Sequence, residues 1–186
     1  MFIKETLLFI LPLFFAGLIH HFLIIRYNLF SSLAKPLDCG QTFKGKRILG
    51  DSKTFRGFII LIFLTSISMW LLNSFLNIPL KFNSFLCGAL FGLGYSLGEL
   101  PNSFLKRRLN IKEGFSAFNS SGIFFCILDQ VDSIIGSLII LPFVYSPSIR
   151  LVVTLLIMGT LLHLFIDISL YKFGYKRTIK SNIQPL

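Results

Sequence analysis

The sequence predicts an all-α integral membrane protein built as a bundle of about five transmembrane helices. Of its 186 residues, 54% are hydrophobic and 14% are charged, whereas a soluble domain averages about 25% charged residues. The apolar residues gather into five long stretches, and most of the 18 Lys and Arg residues lie between them. This composition excludes a disordered chain and disfavours a water-soluble globule. The length suits a single domain covering residues 1–186.

Each apolar stretch predicts one helix. A helix needs about 20 apolar residues to cross the hydrocarbon core of a membrane. The first stretch meets that length, is too long for a signal-peptide core and lacks a small-residue cleavage site, so we expect it to be retained. The second, third and fourth are uncharged, and the fifth contains only Asp167 near its end. The predicted helices lie near residues 6–25, 57–80, 82–98, 133–149 and 151–171.

The third stretch carries two pairs of glycines spaced by four residues, Gly88 with Gly92 and Gly94 with Gly98. In lipid, such spacings let helix backbones approach closely. We interpret them as packing positions, and they also permit association into a homo-oligomer.

Basic residues predict the orientation of the bundle. The segments 26–56, 99–132 and the tail from Lys172 hold 15 of the 18 Lys and Arg residues. Positive charge in short loops stays cytoplasmic. We therefore expect the N-terminus outside, the C-terminus in the cytoplasm, and two cytoplasmic loops at 26–56 and 99–132. This distribution explains most of the net charge of +10 without a nucleic-acid partner.

Most acidic residues lie on or beside the same two loops. The exceptions are Glu5 outside and Asp167 near the end of the fifth helix. Because the positive-inside rule does not require acids there, their presence predicts a site open to the cytoplasm and formed by the two loops.

The first loop is rich in glycine and cations between Asp38 and Gly57. Glycines let backbone amides approach a phosphate, and Lys and Arg neutralise it. The alternative is an ordinary basic loop that touches anionic lipid headgroups. Asp51 favours a phosphate-binding site, because a loop that only keeps positive charge in the cytoplasm does not need an acidic residue. The candidate substrate-binding residues are Lys46, Arg47, Asp51, Lys53, Thr54 and Arg56.

The second loop joins a basic run to a pair of acids. Asp129 and Asp132 are spaced by three residues and share one face of a helix. Such carboxylates suit Mg²⁺, which usually takes one or two carboxylates plus substrate phosphates. The alternative is that Asp129 caps the fourth helix while Asp132 favours its N-terminal dipole. The remaining candidates in this loop are Glu99, Lys106, Arg107 and Arg108.

Two further features carry weaker signals. His163 and Asp167 are spaced by four residues and are within hydrogen-bonding reach on a helix, as a structural or a catalytic pair. Asn102 is interpreted as satisfying backbone groups beside Pro101.

These motifs resemble those of the CDP-archaeol synthases. The first consists of Asp38-x-Gly and of residues 45–57, Gly-Lys-Arg-Ile-Leu-Gly-Asp-Ser-Lys-Thr-Phe-Arg-Gly. The second combines Ser-Phe-Leu-Lys-Arg-Arg-Leu-Asn-Ile-Lys at 103–112 with Leu-Asp-Gln-Val-Asp at 128–132. A third likeness is His163 followed by Tyr171 to Gly174. Glu99 and Asp167 depart from the family pattern, which has Asp and Asn there.

The resemblance implies a multi-pass enzyme of the cell membrane that transfers a cytidylyl group from CTP to a lipid phosphate. It implies that Asp51, Lys53 and Arg56 serve the nucleotide, and that Asp129 and Asp132 bind Mg²⁺. Phosphates would be held by Lys106, Arg107 and Arg108. The alternatives are a CDP-alcohol phosphotransferase, whose Asp-Gly-x-x-Ala-Arg motif is absent, and a non-catalytic membrane scaffold or small transporter.

Overall fold

A computed structural model of the chain describes residues 1–111, 116–117, 120–172 and 183–184. The five helices are α1 (Phe2–Tyr27), α2 (Phe55–Leu76), α3 (Ser84–Arg108), α4 (Ser120–Val144) and α5 (Ile149–Lys172). A short 3-10 helix spans Ser31–Leu33. Four strands of two residues each pair as two small sheets: β1 (Thr42–Phe43) runs antiparallel to β2 (Lys46–Arg47), and β3 (Ser116–Ala117) runs parallel to β4 (Ile183–Gln184). The predicted bundle of about five helices is confirmed.

Four of the described helices, α1, α2, α4 and α5, are long and apolar enough to cross a membrane. The helix α3 is less apolar, because glycines and polar residues such as Tyr95 and Ser96 interrupt it. It packs between α2 and α4. Its lower hydropathy therefore fits a helix that faces other helices more than lipid.

Glycines bring α3 against both of its neighbours. A Cβ added to Gly88 would lie 2.7 Å from the Ser66 Cα of α2. On the other side, a Cβ added to Gly94 would lie 2.6 Å from the Gly136 carbonyl oxygen of α4. Both separations are too short for a real side chain, so the two predicted glycine spacings serve helix packing.

Most of the described charged residues lie at one end of the bundle, where α1, α3 and α5 finish and α2 and α4 begin. We call it the charged end. At the opposite end lies an apolar core that includes Phe9, Met69, Phe91, Leu141 and Leu155. This core holds the helices together and thereby fixes where each presents its polar residues.

The helix bounds differ from those predicted, most of all in the segment 99–132. The helix α3 continues to Arg108 and α4 begins at Ser120, so most of the predicted second loop is helical. The reason is that membrane thickness limits the apolar stretch but not the helix, which continues where its surface is polar. Conversely, α2 ends at Leu76, where Asn77 takes a left-handed conformation with φ 54° before Pro79. Lys112 and Gly174 of the resembling motifs lie outside the described residues.

Candidate active site

The first loop is a folded unit. Its strands β1 and β2 form a hairpin whose two turn residues, Lys44 and Gly45, have φ of 52° and 73°. A two-residue hairpin turn with positive φ at both positions matches the twist of the strands. The base of the loop is closed by a bridge between Pro36 and Thr54. The loop is therefore held at both its tip and its base.

A buried carboxylate, Asp38, organises the interior of this loop. It accepts hydrogen bonds from the backbone amides of Gly40, Leu49 and Gly50 at 2.9–3.1 Å and pairs with Arg47 at 2.7 Å. Burial alone would raise the pKa of Asp38, but Arg47 and the amides outweigh it and hold that pKa well below its usual range. Asp38 is therefore a structural anion that stays ionised.

The last turn of α3 fastens the loop to the bundle. The Arg107 guanidinium donates to the Leu49 carbonyl at 3.3 Å, and Arg108 donates to the carbonyls of Phe43, Lys46 and Arg47. In return, the Lys46 ammonium donates to the Arg108 carbonyl at 2.8 Å. These three predicted site residues thus hold the loop in place.

The predicted acidic pair lies beside the end of α3. The Asn102 amide nitrogen donates to Asp129 at 2.6 Å and to Asp132 at 2.7 Å, so one side chain bridges both carboxylates. The Lys106 ammonium binds both oxygens of Asp129, at 2.5 and 2.6 Å. Since α4 begins at Ser120, Asp129 lies in the helix interior. The helix-capping alternative is therefore wrong.

A second ion pair, between Lys53 and Glu99, lies next to this cluster. Ser133 links the two, because its hydroxyl donates to Glu99 at 3.0 Å and its backbone amide donates to Asp132 at 2.6 Å. Burial opposes the charge on Lys53, but the Glu99 carboxylate outweighs that effect and raises the pKa of Lys53. The site therefore contains opposite charges in direct contact.

The beginning of α2 contributes further predicted residues. The Thr54 hydroxyl caps the helix by accepting from the Gly57 amide at 3.1 Å. Arg56 donates to the Asn28 side chain at 2.6 Å, which ties α2 to the end of α1. Asp51 pairs with Arg47 at 2.8 Å, and its side chain is 72% exposed.

The predicted contact between His163 and Asp167 runs through a third residue. Gln130 of α4 donates to Asp167 at 3.4 Å, and its oxygen lies 3.2 Å from the His163 Nδ1. The fifth helix is thereby joined to the turn that carries Asp129 and Asp132. All five helices contribute polar side chains to the charged end.

Comparison with known proteins identifies the family. A family model described as CarS-like: CDP-archaeol synthase matches residues 2–179. The chain belongs to the CDP-archaeol synthase family. A CDP-archaeol synthase from Methanoculleus marisnigri is 33% identical over 153 residues, which cover 76% of this chain and 87% of the relative. A CDP-archaeol synthase from Pyrococcus furiosus is 32% identical over 179 residues, covering 94% of this chain and 96% of the relative.

A solved structure agrees with this membership. It is described as an intramembrane enzyme for archaeal membrane lipids biosynthesis, and it has a TM-score of 0.64 and 26% sequence identity. The match covers 87% of this chain and 92% of that structure. The chain is thus a membrane enzyme of the nucleotidyltransferase class, a CTP-dependent cytidylyltransferase that forms a CDP-lipid. The scaffold and transporter alternatives are set aside.

The twelve site residues predicted from the sequence of this CDP-archaeol synthase family member fall into three groups in the structure. Five of them, Lys53, Glu99, Lys106, Asp129 and Asp132, form one cluster of charges. Four others shape the first loop or fasten it to α3: Lys46, Arg47, Arg107 and Arg108. The remaining three lie in or just before the first turn of α2, where Thr54 caps the helix, Arg56 reaches α1 and Asp51 faces Arg47.

Sequence reasoning missed three residues of this site. Asn102 was interpreted as a local backbone contact, yet its partners lie 27 and 30 residues away. Ser133 belongs to no recognisable motif, and Asp38 is part of a resembling motif but is not among the predicted site residues. A signal was present for Asn102, because it lies four residues before Lys106 on the same helix face.

Proposed function

We propose that the protein transfers the cytidylyl group of CTP to the phosphate of a lipid at the charged end of the bundle, with Mg²⁺ held by Asp129 and Asp132. The product would be a CDP-lipid, and pyrophosphate would be released. Family membership supports the reaction class, and the geometry of the charged end supports the assignment of residues.

One observation carries the assignment: a single amide, Asn102, bridges two carboxylates, and one of them, Asp129, also pairs with Lys106. Two carboxylates this close repel each other unless a donor or a cation lies between them. In this structure Asn102 and Lys106 compensate part of that repulsion. Such an arrangement is well suited to exchange one of those partners for a divalent cation.

The residues present fit Mg²⁺. Asp129 and Asp132 offer carboxylate oxygens, and the buried Asn102 Oδ1 has no hydrogen-bond partner among the described residues. In the described part of the chain, no group of three or more His, Cys, Asp and Glu side chains is placed to hold a metal ion. A site with two carboxylates fits Mg²⁺, which completes its coordination with water and substrate phosphates. When bound, the ion would neutralise charge on the phosphates.

In the reaction, an oxygen of the lipid phosphate forms a bond to the α-phosphorus of CTP. The bond from that phosphorus to the oxygen bridging to the β-phosphate breaks, and this oxygen keeps the electron pair as pyrophosphate leaves. The nucleophile is already an anion, so the protein need not supply a Ser, Cys or His nucleophile. The task of the chain is to align two anions and offset their repulsion.

The side chains divide that task. Lys106 holds Asp129 in place and brings a positive charge beside the acidic pair. Lys53, which Glu99 holds in place, brings a second ammonium group, and the proposal places it next to the nucleotide with the predicted substrate residues of the first loop. Arg107 and Arg108 support this arrangement by fixing the loop to α3.

We further propose that the charged end faces the cytoplasm and that the protein resides in the cell membrane. The concentration of Lys and Arg in the segments at this end supports the orientation, and CTP is a cytoplasmic solute. The lipid we propose is a glycerol phosphate with two ether-linked isoprenoid chains, because the relatives are named CDP-archaeol synthases. An ordinary diacyl phosphatidate is the alternative substrate.

The test is reconstitution of the purified protein in liposomes with Mg²⁺, labelled CTP and either lipid phosphate. We expect a labelled CDP-lipid and an equal amount of pyrophosphate, with the ether lipid preferred. The variant Asp132→Asn should fold normally and form no product.

The matched control is Glu5→Gln, which changes a buried acid to its amide at the opposite end of the bundle. It should keep the parent rate. Parent activity without added divalent cation, or a parent rate in folded Asp132→Asn, would contradict the metal assignment.

A further inference from the structure

A half-buried imidazole, whose two nitrogens have no hydrogen-bond partner among the described residues, lies where α1 meets α2. Both ring nitrogens of His20 are buried and make no hydrogen bond to the described residues, and neither does the Nε of Arg56. Buried polar atoms in native proteins are almost always paired with protein, water or ligand. Three such atoms on two neighbouring side chains therefore indicate a place where a polar group binds.

The position of His20 is set by the first turn of α2. A Cβ added to Gly57 would lie 3.5 Å from the His20 Nε2 and 3.4 Å from the Thr54 hydroxyl. The imidazole therefore rests against the backbone at the start of α2. Arg56 is the preceding residue, and its contact to Asn28 uses a terminal guanidinium nitrogen, which leaves the Nε–H available.

The charges around His20 favour an anion. Around His20 lie the ring of His21 and the charged groups of Glu99, Arg56 and Lys53. Because Lys53 and Glu99 neutralise each other in an ion pair, Arg56 leaves a net positive charge beside the imidazole. Ring N–H and guanidinium N–H groups both donate hydrogen bonds, and a phosphate offers several acceptor oxygens.

The depth of His20 indicates which phosphate binds. The uncharged apolar run of α1 continues to Ile25, next to Arg26, so His20 lies about 7.5 Å inside it at 1.5 Å per residue. A lipid phosphate sits at the edge of the hydrocarbon, whereas the triphosphate of a dissolved nucleotide approaches from the water.

We propose that His20 and the Nε of Arg56 bind the phosphate of the lipid substrate, and that this contact holds the attacking oxygen toward the acidic pair. The inference rests on the proposed function. It adds His20 to the substrate-binding residues and moves Arg56 from the nucleotide to the lipid.

The experiment measures the dependence of the rate on each substrate in liposomes of defined lipid-phosphate content. At saturating CTP, His20→Ala should raise the apparent KM for the lipid phosphate about 10-fold or more, as expected for one hydrogen bond to a charged group. The KM for CTP should change less than about twofold, since the nucleotide does not contact the imidazole. His20→Gln should return the lipid KM to within about threefold of the parent, because its carboxamide retains an N–H donor.

The matched control is Thr6→Ala at the opposite end of the same helix, where the Thr6 hydroxyl donates to the Phe2 carbonyl of its own helix at 3.0 Å. It should keep the parent values of both KM. Arg56→Lys is the second variant, since it keeps the charge but loses the Nε–H, and it should also raise the KM for the lipid. An unchanged lipid KM in folded His20→Ala, or a rise in the KM for CTP instead, would overturn the inference.

A binding measurement separates this inference from the proposed function. Without CTP, dioleoyl phosphatidate added to the detergent-solubilised parent should raise its Tm, and His20→Ala should lose that rise. If the parent forms no CDP-lipid yet shows this His20-dependent rise, the proposed function fails while the phosphate site stands. If the parent is active and the rise is equal in both proteins, the site fails alone.

Discussion

Removing the amide of Asn102 tests the site most directly. In Asn102→Ala, Asp129 and Asp132 each lose a hydrogen bond, of 2.6 and 2.7 Å respectively. A hydrogen bond to a charged group contributes about 1.5 to 3 kcal/mol. The two together therefore contribute about 3 to 6 kcal/mol to holding the carboxylates in their present positions.

Part of that lost stabilisation should appear as a lower activity. Side chains that orient metal ligands typically contribute about 10- to 100-fold in metal affinity or rate. We therefore expect kcat/KM of Asn102→Ala to fall about 10- to 100-fold and the Mg²⁺ concentration for half-maximal rate to rise about 10-fold. The assay is a Mg²⁺ titration of CDP-lipid formation in liposomes, with the folded fraction measured by size-exclusion chromatography.

The control for this experiment is Asn83→Ala, which removes an asparagine from the other end of the same helix. Asn83 caps α3 by accepting from the Leu86 amide at 2.8 Å, so its loss should lower stability by about 1 kcal/mol and leave the Mg²⁺ dependence unchanged. If folded Asn102→Ala has the kcat/KM and Mg²⁺ dependence of the parent, our account of the acidic pair is refuted.

Three further predictions concern packing, pH and orientation. Gly136→Ala should lower the unfolding temperature and the activity, because its methyl group would collide with the Gly94 carbonyl and push α3 away from α4. A loss of 1 kcal/mol lowers Tm by about 2–4 °C in a protein of this size. A Tm within about 1 °C of the parent would therefore contradict this contact. Asp38→Asn should lower the free energy of unfolding at pH 7 by at least about 2 kcal/mol. Since the folded-state pKa of Asp38 is depressed, its contribution is complete above the unfolded value of about 3.9 and disappears as pH falls through the folded value. The stability difference from the parent, followed by unfolding midpoints between pH 7 and 3, should therefore stay constant to about pH 4 and shrink only below it. Finally, Cys39, which is exposed in the first loop, should react with a membrane-impermeant maleimide only in inside-out vesicles; labelling of intact cells would reverse the proposed orientation.

The helical bundle and the acidic pair were predictable from the sequence because they depend on composition and short spacings. Five apolar stretches predicted five helices, and the spacing of Asp129 and Asp132 on one helix face holds in α4. The helix ends were not predictable from apolar length, because α3 and α4 extend beyond the hydrocarbon with polar surfaces. Pro101 lies inside α3, where a sequence argument expects an interruption.

The parts of the site that were not predictable from the sequence depend on polar contacts between distant residues. The role of Asn102 depends on partners in another helix, and the glycines at 94, 98 and 136 place those helices in contact. Similarly, Arg107 and Arg108 were predicted to bind phosphates because they are basic. In the structure their guanidinium groups contact loop carbonyls, a use that depends on the fold of residues 38–57.

The glycine seam between α3 and α4 also restricts how a lipid can enter. Backbone rests on backbone at Gly94, Gly98 and Gly136, so the helices that carry Asn102, Asp129 and Asp132 cannot part at these positions without losing that contact. A lipid must therefore reach the acidic pair from a side other than this seam. The spacing between Asn102 on α3 and the two carboxylates on α4 would stay fixed while the substrate enters and the bulkier product leaves.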